Sequence, residues 1–217
     1  MNSNDTRLPE IIAHRGNALE FPENTLQALE SAVALGVRHL EFDVQLTADH
    51  VPVVFHDADL ARVGNRPESV HSLSWSQLAE IPVGEVSRFG DRFAYTCAPS
   101  LAQTVDAIAG WEGVTAFVEV KRASLRHFGH EAVLRRVSAV LQPVLDRCVL
   151  CGQPLQDEVR FLPAAGGLAH AAEAPAGSGA IPIDPATVRA LRRLLRPQDY
   201  DLDLAPIRIP PAVLRPL

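Results

Sequence analysis

The sequence is poor in cysteine and has no long apolar run. Only three of its 217 residues are cysteines, which is too few for a disulfide framework. No apolar run reaches the roughly 18 residues of a transmembrane helix. The first ten residues, MNSNDTRLPE, lack the apolar core of a secretory signal. We therefore expect a cytoplasmic protein with no transmembrane segment.

Basic residues are also in the minority. The chain has 20 Lys and Arg residues against 26 Asp and Glu residues, and its formal net charge is −6. Because nucleic-acid binding needs a positive surface that covers many phosphates, this balance argues against such a partner. A small phosphorylated substrate remains compatible with the composition, since a few local cations or a metal can hold it.

Strand-like and helix-like segments alternate through the first 151 residues. Apolar runs predict strands at 10–16, 37–46, 51–56, 115–121 and 147–151, and helical spacing predicts helices at 24–36, 99–109 and 127–141. Strands that are apolar on both faces and alternate with helices imply parallel βα units. The predicted class is α/β, and both a doubly wound sheet and a TIM barrel fit this order.

Two residues are of the types that commonly cap the start of a helix. Asn24 is predicted to cap the first helix, with Gln27 three residues on as the capping-box partner. Ser74 is a capping candidate within the less regular segment 58–98. The role of Glu23 stays open, because its carboxylate suits either a site rim or the positive end of that first helix.

Unusual polar residues lie near the carboxyl ends of the predicted strands, where TIM barrels and open α/β sheets build their sites. Carboxylates on one strand face suit a hard cation such as Mg²⁺ or Ca²⁺. Histidines beside a bound phosphate can act as general acid and base, and cations can neutralise its oxygens. The carboxylates are Glu41, Asp43 and Glu119, the histidines are His14 and His56, and the cations are Arg15 and Lys121. Together they are the parts of a metal-assisted phosphodiesterase.

Each of these features has an ordinary structural alternative. A single histidine at a strand end is more often structural than catalytic. Glu119 and Lys121 can form a plain ion pair, and Glu41 with Asp43 can be the exposed side of an edge strand. The same pattern recurs at the same end of four predicted strands, however, and this repetition favours the catalytic interpretation.

Seven motifs in this order resemble the glycerophosphodiester phosphodiesterase family. They are HRG (14–16), PENT (22–25), EFDV (41–44), TAD (47–49), PVVFHD (52–57), PSL (99–101) and EVK (119–121). The resemblance covers about residues 10–152. It implies a TIM (β/α)8-type barrel with a small insertion at about 58–98, and hydrolysis of glycerophosphodiesters to glycerol 3-phosphate and an alcohol.

The resemblance also implies a role for each site residue. His14 and His56 are similar to the acid–base pair of the family, and Arg15 and Lys121 to its phosphate contacts. The three carboxylates, Glu41, Asp43 and Glu119, are similar to its divalent-metal ligands. Two other functions stay open. One is a lipid phosphodiesterase of the lysophospholipase D or phospholipase C type, and the other is a truncated product without activity.

The resemblance ends after the fifth predicted strand. We expect residues 8–152 to contain the first five βα units and residues 153–217 to be a Pro- and Ala-rich tail, with a flexible linker at 164–180 and one helix at 186–195. A reading-frame shift near codon 151, which we favour, or natural divergence explains this tail. Because an incomplete barrel has an open sheet edge and an unfinished pocket, we expect low or absent activity.

The pair Cys148-x-x-Cys151 has the spacing of half a zinc site. No second cysteine pair follows at ligand spacing, and the next histidine, His170, is isolated in the sequence. We therefore interpret the two cysteines as buried strand residues.

Overall fold

The N-terminal part of the chain is a mixed β-sheet built around one long strand. The computed structural model describes residues 11–145, 148, 150–151, 153–155, 158–162 and 167–183. The strands of this sheet are β1 (Ile12–His14), β2 (His39–Leu46), β3 (Pro52–Val54) and β4 (Thr115–Val120). Strand β2 pairs in parallel with β1 and β4 and antiparallel with β3. The predicted α/β class is confirmed, and no closed barrel forms within the described ranges.

In the part of the chain that the structure describes, seven α-helices lie between and after these strands, and the side chain of the preceding residue caps several of them. Their bounds are α1 (Leu26–Ala34), α2 (Ala61–Gly64), α3 (Trp75–Leu78), α4 (Val86–Phe89), α5 (Leu101–Ala109), α6 (Arg122–Phe128) and α7 (His130–Leu145). Ser74 and Ser100 each form a capping box with the glutamine three residues later. Among the described residues, no helix has the length and apolarity needed to cross a bilayer.

Apolar and polar side chains alternate along β2, so one face of the strand belongs to the core and the other is polar. Leu40, Phe42, Val44 and Leu46 point to one face, where they are fully buried against α1, α5 and α7. Burial of each such side chain contributes roughly 1.5–3 kcal/mol. The intervening residues of β2 point the opposite way. This is why the strand can carry acidic residues without disrupting the core.

The segment between β3 and α5 has a hydrophobic core of its own. Its buried residues are Val53, Phe55, Leu60, Val63, Val70, Leu78, Ile81, Val83 and Ala98. Val53 lies in β3 and Phe55 directly follows it, so the insertion packs directly on the sheet. The insertion also contains Asp57, which contributes to the candidate site described below.

Strand β3 runs antiparallel to β2, which corrects the expectation of parallel units throughout. Only residues 47–51 separate the two strands, and a parallel crossover requires a dozen or more residues. The turn is closed by the Val51 amide, which donates to Thr47 Oγ1 at 3.0 Å. His50 takes a positive φ of 61° within it. The chain therefore folds back along β2.

Two further expectations are wrong in the described residues. The N-cap of α1 is Thr25, whose hydroxyl accepts from the Ala28 amide, whereas Asn24 binds Asp43. A fifth strand at 147–151 is absent from what is described there, since Leu150 and Cys151 lie in a turn. Of the described residues in that segment, Cys148 is buried, whereas Leu150 and Cys151 are exposed.

The C-terminal part contains a second sheet that the sequence did not lead us to expect. Strands β5 (Val159–Leu162), β6 (Gly167–His170) and β7 (Ile181–Ile183) form an antiparallel sheet in the order β6-β5-β7. The predicted linker at 164–180 thus includes a strand, although turns fill much of its remainder. The helix predicted at 186–195 lies outside the described residues.

The turn after β1 is fixed by close packing against α1. Arg15 and Gly16 both have positive φ values, of 58° and 80°. A Cβ added to Gly16 would lie 2.5 Å from the main-chain carbon of Ala28 in α1. Only glycine fits at this position, and the fit directs Arg15 towards β2.

Gly16 is subject to two constraints, a positive φ and close packing on α1, and the first prediction separates them. Gly16→Ala should lower the melting temperature more than Gly36→Ala, since Gly36 has a similar φ of 90° but nothing within 4 Å of its added Cβ. The control should lose about 1–3 kcal/mol from backbone strain alone. Thermal unfolding measures both variants. Equal losses would show that the turn does not pack closely on α1.

Candidate functional site

The candidate site is built around a fully buried carboxylate, Asp43 of β2. Its Oδ2 lies 2.9 Å from Arg15 Nε and accepts a hydrogen bond of 2.9 Å from Asn24 Nδ2. Its Oδ1 lies 3.1 Å from Lys121 Nζ. The Asn24 side chain also accepts from the Asp43 amide at 3.2 Å. Two cations and one amide therefore compensate a charge that would otherwise be costly to bury.

Glu41 and Glu119 complete a group of three carboxylates. Glu41 lies two residues before Asp43 on the same face of β2, and Glu119 lies opposite Asp43 in the β2–β4 register. One oxygen from each of the three lies within 4.8 Å of the others. Lys121 Nζ also contacts Glu119 Oε1 at 2.8 Å. The β-sheet register thus brings together all the predicted metal ligands.

Glu41 carries the clearest mark of a cation site. Its Oε1 is buried and accepts no hydrogen bond from any described residue. Burial raises the pKa of Glu41, and the neighbouring charges of Asp43 and Glu119 raise it further. His14 and the Arg15 amide act in the opposite direction. A divalent cation would offset this repulsion and coordinate the free oxygen, so the residues present fit such a group.

The two predicted histidines lie in different surroundings. His14 ends β1, its side chain is 65% exposed, and its Nε2 lies 3.7 Å from Glu41 Oε2. His56 follows β3, and its Nδ1 lies 2.6 Å from Asp57 Oδ1. The main-chain oxygen of His56 accepts from Gln45 Nε2 at 2.9 Å. Because β3 folds back along β2, His56 reaches the site from an antiparallel strand.

Arg62 of α2 joins the histidine side of the site to the helix side. Its Nε donates to Asp57 Oδ2 at 2.7 Å, and its Nη2 donates to Glu23 Oε1 at 2.6 Å. Glu23 Oε1 also accepts from Arg15 Nη1 at 3.1 Å. Ion pairs therefore run without interruption from Asp57 through Arg62 and Glu23 to Arg15 and Asp43, and His56 contacts Asp57 at one end.

The pKa values of this network follow from the same contacts. Burial alone would raise the pKa of Glu23, but the hydrogen bond and charge of Arg62 outweigh it and lower that pKa. The pKa of Asp57 is likewise lowered, against burial, by Arg62 and His56. The hydrogen bonds that Arg62 donates to Glu23 and Asp57 raise the pKa of Arg62. All three groups are therefore charged near neutral pH.

Sequence reasoning named seven residues for this site, and the structure shows further residues in contact with them. The structure places Arg15, Lys121 and the three carboxylates together, with His14 beside Glu41. Asn24 was assigned to a helix cap, and Asp57 and Arg62 were given no role. The PENT and PVVFHD motifs contain the first two. No local pattern marks Arg62, because only the fold brings it to Glu23.

A second group of potential metal ligands lies outside this site. Cys148, Cys151, His170 and Glu173 each offer one donor atom, and these atoms lie within 4.8 Å of one another. This corrects the interpretation of the cysteines as strand residues and of His170 as isolated. The β5–β6 hairpin brings His170 back to the cysteine pair, a contact that sequence spacing alone did not reveal.

Two family models match different parts of the chain. Residues 14–151, more than half of the chain, match the glycerophosphoryl diester phosphodiesterase family. Residues 141–217 match the C-terminal part of recombination protein O. The first match contains every residue of the site around Asp43. The second contains the Cys148–Glu173 group.

Individual relatives agree with the first match. The chain is 33% identical over 124 residues to a glycerophosphodiester phosphodiesterase of Caldanaerobacter subterraneus, covering 57% of this chain and 50% of that protein. It is 31% identical over 110 residues to bovine glycerophosphodiester phosphodiesterase 1, covering 51% and 33% respectively. The chain therefore spans half or less of the length of these curated relatives.

A solved phosphodiesterase from Oleispira antarctica, in complex with the product sn-glycerol-3-phosphate, is similar in fold and sequence. Its TM-score is 0.55 at 30% identity, and the match covers 62% of this chain and 52% of that one. The glycerophosphoryl diester phosphodiesterase domain of Mycobacterium tuberculosis Rv2277c has a TM-score of 0.51 at 28% identity, with coverage of 63% and 48%. Because the family model matches more than half of its residues, the chain belongs to the glycerophosphoryl diester phosphodiesterase family.

Proposed function

We propose that the chain carries a metal-dependent site for hydrolysis of glycerophosphodiesters to glycerol 3-phosphate and an alcohol. The observation that carries this proposal is the group Glu41, Asp43 and Glu119, with one buried Glu41 oxygen free to coordinate a cation. The bound product in the Oleispira antarctica relative supports the same substrate class.

The charges of the site suit a phosphodiester only when a dication is present. Three carboxylates against Arg15 and Lys121 leave one net negative charge, which repels a phosphodiester anion. Mg²⁺ or Ca²⁺ held by Glu41, Asp43 and Glu119 would reverse this sign. When bound, such an ion would polarise a phosphoryl oxygen and offset the charge that develops in the reaction.

Arg15 and Lys121 are placed to bind the phosphate. Each now contacts Asp43, and Lys121 also contacts Glu119. Their side chains are mostly buried, with 17% exposure each, so they are held close to the carboxylates. Oxygen atoms of a phosphodiester would compete with those carboxylates for the same donors. The two cations thus position the substrate beside the metal ligands.

The histidines supply the proton transfers. His14 removes a proton from the attacking oxygen, and His56 donates one to the leaving alkoxide. Asp57 holds His56 Nδ1, which leaves Nε2 as the ring nitrogen for the proton transfer. Arg62 in turn fixes Asp57. The insertion therefore orients one of the two proposed catalytic histidines.

We also retain the division of the chain near residue 152 as part of this proposal. The phosphodiesterase match ends at residue 151, and the strands beyond it belong to a different, antiparallel sheet. The described residues form no closed barrel, and the match covers only about half of the relatives' length. Turnover is expected to be low, with glycerophosphocholine preferred over a lysolipid. Comparing these two substrates tests the assignment of substrate class.

The second prediction concerns the metal. A chelator should abolish turnover of a glycerophosphodiester, and Mg²⁺ or Ca²⁺ should restore it. Glu41→Gln should weaken binding of that ion by at least about tenfold, the loss typical of altering even an outer partner of a metal site. Titration calorimetry measures the binding without relying on turnover. The control is Glu131→Gln, an exposed carboxylate on α7. Unchanged binding by Glu41→Gln would refute the site.

The third prediction concerns the histidines. His14→Ala and His56→Ala should each lower turnover by about 10²-fold or more, the usual contribution of general acid–base catalysis. His130→Ala, at the exposed start of α7, should leave turnover unchanged. Initial rates with saturating metal give the comparison, and melting temperatures show that the fold persists. Near-normal turnover in either site variant would assign that histidine a structural role.

The fourth prediction concerns the Arg62 network. Because the folded-state pKa values of Glu23 and Asp57 lie below their ordinary values of 4.5 and 3.8, their contribution to stability is present above those values. It is lost as the pH falls through the lowered values. Arg62→Ala should therefore reduce the melting temperature at pH 7 by about 2–4 °C and by less in acid.

Arg66→Ala is the matched control for this experiment. Arg66 pairs with Glu68 at the surface, and neither group is buried, so the change should be small at every pH. Thermal unfolding from pH 3 to 7 supplies both profiles. A constant difference between wild type and Arg62→Ala across that range would mean that the network is not linked to protonation.

A further inference from the structure

The main chain that carries His56 is bound by a side chain of β2. Strand β3 ends two residues before His56, where the Phe55 amide still donates to the Asp43 main-chain oxygen at 2.9 Å. Beyond it, the main-chain oxygens of His56 and Asp57 both accept from one group, Nε2 of Gln45, the first at 2.9 Å. A glutamine therefore holds the segment where the strand has ended.

The amide of Gln45 can have only one orientation. Gln45 lies on the polar face of β2 and is fully buried. The two main-chain oxygens can only accept, so the amide nitrogen must face them, and it has one N–H for each. Gln45 Oε1 therefore points the other way and lies 2.9 Å from His71 Nε2. Because Oε1 can only accept, the ring proton of His71 lies on Nε2.

His71 comes from the insertion and is itself held in place. It lies in the short 3-10 helix Val70–Ser72, and its amide donates to Ser69 Oγ at 3.2 Å. Burial lowers the pKa of His71, and the charge of His127 lowers it further. The ring is therefore neutral near pH 7, with the single proton that the contact to the glutamine requires.

Ser124 fixes the same amide from a third element. It is fully buried in α6, and its Oγ accepts from the Leu46 amide of β2 at 3.0 Å. The same Oγ lies 3.1 Å from His71 Nε2 and donates its own proton to Gln45 Oε1 at 3.4 Å. The insertion and α6 thus hold one end of the glutamine side chain, and its other end holds the segment after β3.

A buried glutamine often does no more than satisfy main-chain groups, but these two main-chain groups belong to the proposed proton donor and its partner. Asp57 Oδ1 lies 2.6 Å from His56 Nδ1, so a shift of either main-chain oxygen changes the position of the ring. Arg62 contacts the side chain of Asp57 and does not by itself fix the main chain. Gln45 supplies that second constraint.

We propose that Gln45 is a positioning residue for the reaction: its amide fixes the main chain of His56 and Asp57, and His71 and Ser124 fix the amide. Gln45 acts through His56 and does not itself transfer a proton. The catalytic part of this inference rests on the proposed function, in which His56 is the proton donor. The control of the His56 ring by Gln45 does not depend on that function.

The fifth prediction replaces Gln45 in the full chain. Gln45→Met keeps the length of the side chain and removes both N–H donors. At saturating Mg²⁺, kcat for glycerophosphocholine should fall by about 10- to 100-fold, as expected when a catalytic group is misplaced by up to about 1 Å, while KM changes by less than about twofold. Affinity for Mg²⁺, measured by calorimetry, should equal that of the wild type.

The ring of His56 gives a measurement that is independent of turnover. In mildly alkaline solution, the ring ¹⁵N resonances of His56, assigned by their loss in His56→Ala, should be those of the tautomer with its proton on Nδ1. Gln45→Met should move them towards a mixture of both tautomers. A wild-type ring spectrum in Gln45→Met would overturn the proposal, whether or not the chain turns over substrate. A changed spectrum in a chain without turnover would support the positioning and refute the proposed function alone.

Thr104→Val is the matched control for the loss of a buried hydrogen bond. Thr104 of α5 is fully buried, and its hydroxyl donates to the Ser100 main-chain oxygen at 3.0 Å. This variant should have a lower melting temperature but wild-type kcat and wild-type His56 resonances. Equal changes of kcat and of these resonances in Thr104→Val and Gln45→Met would show a merely structural role for Gln45.

A double-mutant cycle tests whether His71 acts through Gln45. His71→Phe removes the Nε2 donor and keeps a ring against Phe128, whose centroid lies 5.4 Å from that of His71. Alone, it should disturb the His56 resonances less than Gln45→Met does. In the Gln45→Met background it should have no further effect, because the group through which it acts is already absent. Additive effects would contradict the proposed order of contacts.

Discussion

The buried charge of Asp43 is the constraint on which the N-terminal half depends. A carboxylate with no exposure in the middle of a strand must be compensated, and the chain does so with Arg15, Asn24 and Lys121, each from a different segment. Asp43 therefore contacts the left-handed turn at Arg15, the turn at Asn24 that precedes α1, and Lys121 at the end of β4. Stability and site geometry therefore share the same contacts.

The insertion extends this arrangement through Arg62. Its own core packs on the end of β3, and α2 directs a guanidinium towards Asp57 and Glu23. Glu23 is further held by its amide, which donates to the buried Glu85 carboxylate at 2.8 Å. The insertion thus fixes the relative positions of His56 and the start of α1. Its role is positional, although it lies outside the sheet.

Features of the structure that depend on neighbouring residues, such as strand alternation and helix caps, could be predicted from the sequence. The alternation of β2, the cap at Ser74 and the convergence of Glu41, Asp43 and Glu119 follow from the strand period and from the residue types that cap helices. The direction of β3 could also have been predicted from the sequence, since residues 47–51 are too few for a parallel crossover. Its apolar run instead suggested a parallel strand, which was wrong.

What escaped prediction depends on long-range contacts. Asn24 is a residue type that often caps helices. In the structure it instead forms a buried hydrogen bond with Asp43, 19 residues away. Residues 159–183 are rich in Ala, Gly and Pro, and no periodic pattern marks their strands. The cysteine pair acquires its partners only through the β5–β6 register. The origin of residues 153–217, by a frame shift or by divergence, stays a prediction.

The continuous series of ion pairs from Asp57 to Lys121 has an evolutionary consequence. Arg62, Glu23, Arg15 and Asp43 each contact two groups of opposite charge, so replacing one residue changes the surroundings of two others, and the cost of a second replacement depends on the first. Exchange of Arg62 for a neutral residue is therefore expected to cost less stability once Glu23 has also changed. Sequences that drift at these positions are therefore expected to do so in correlated pairs, and the order in which substitutions arise determines which of them survive.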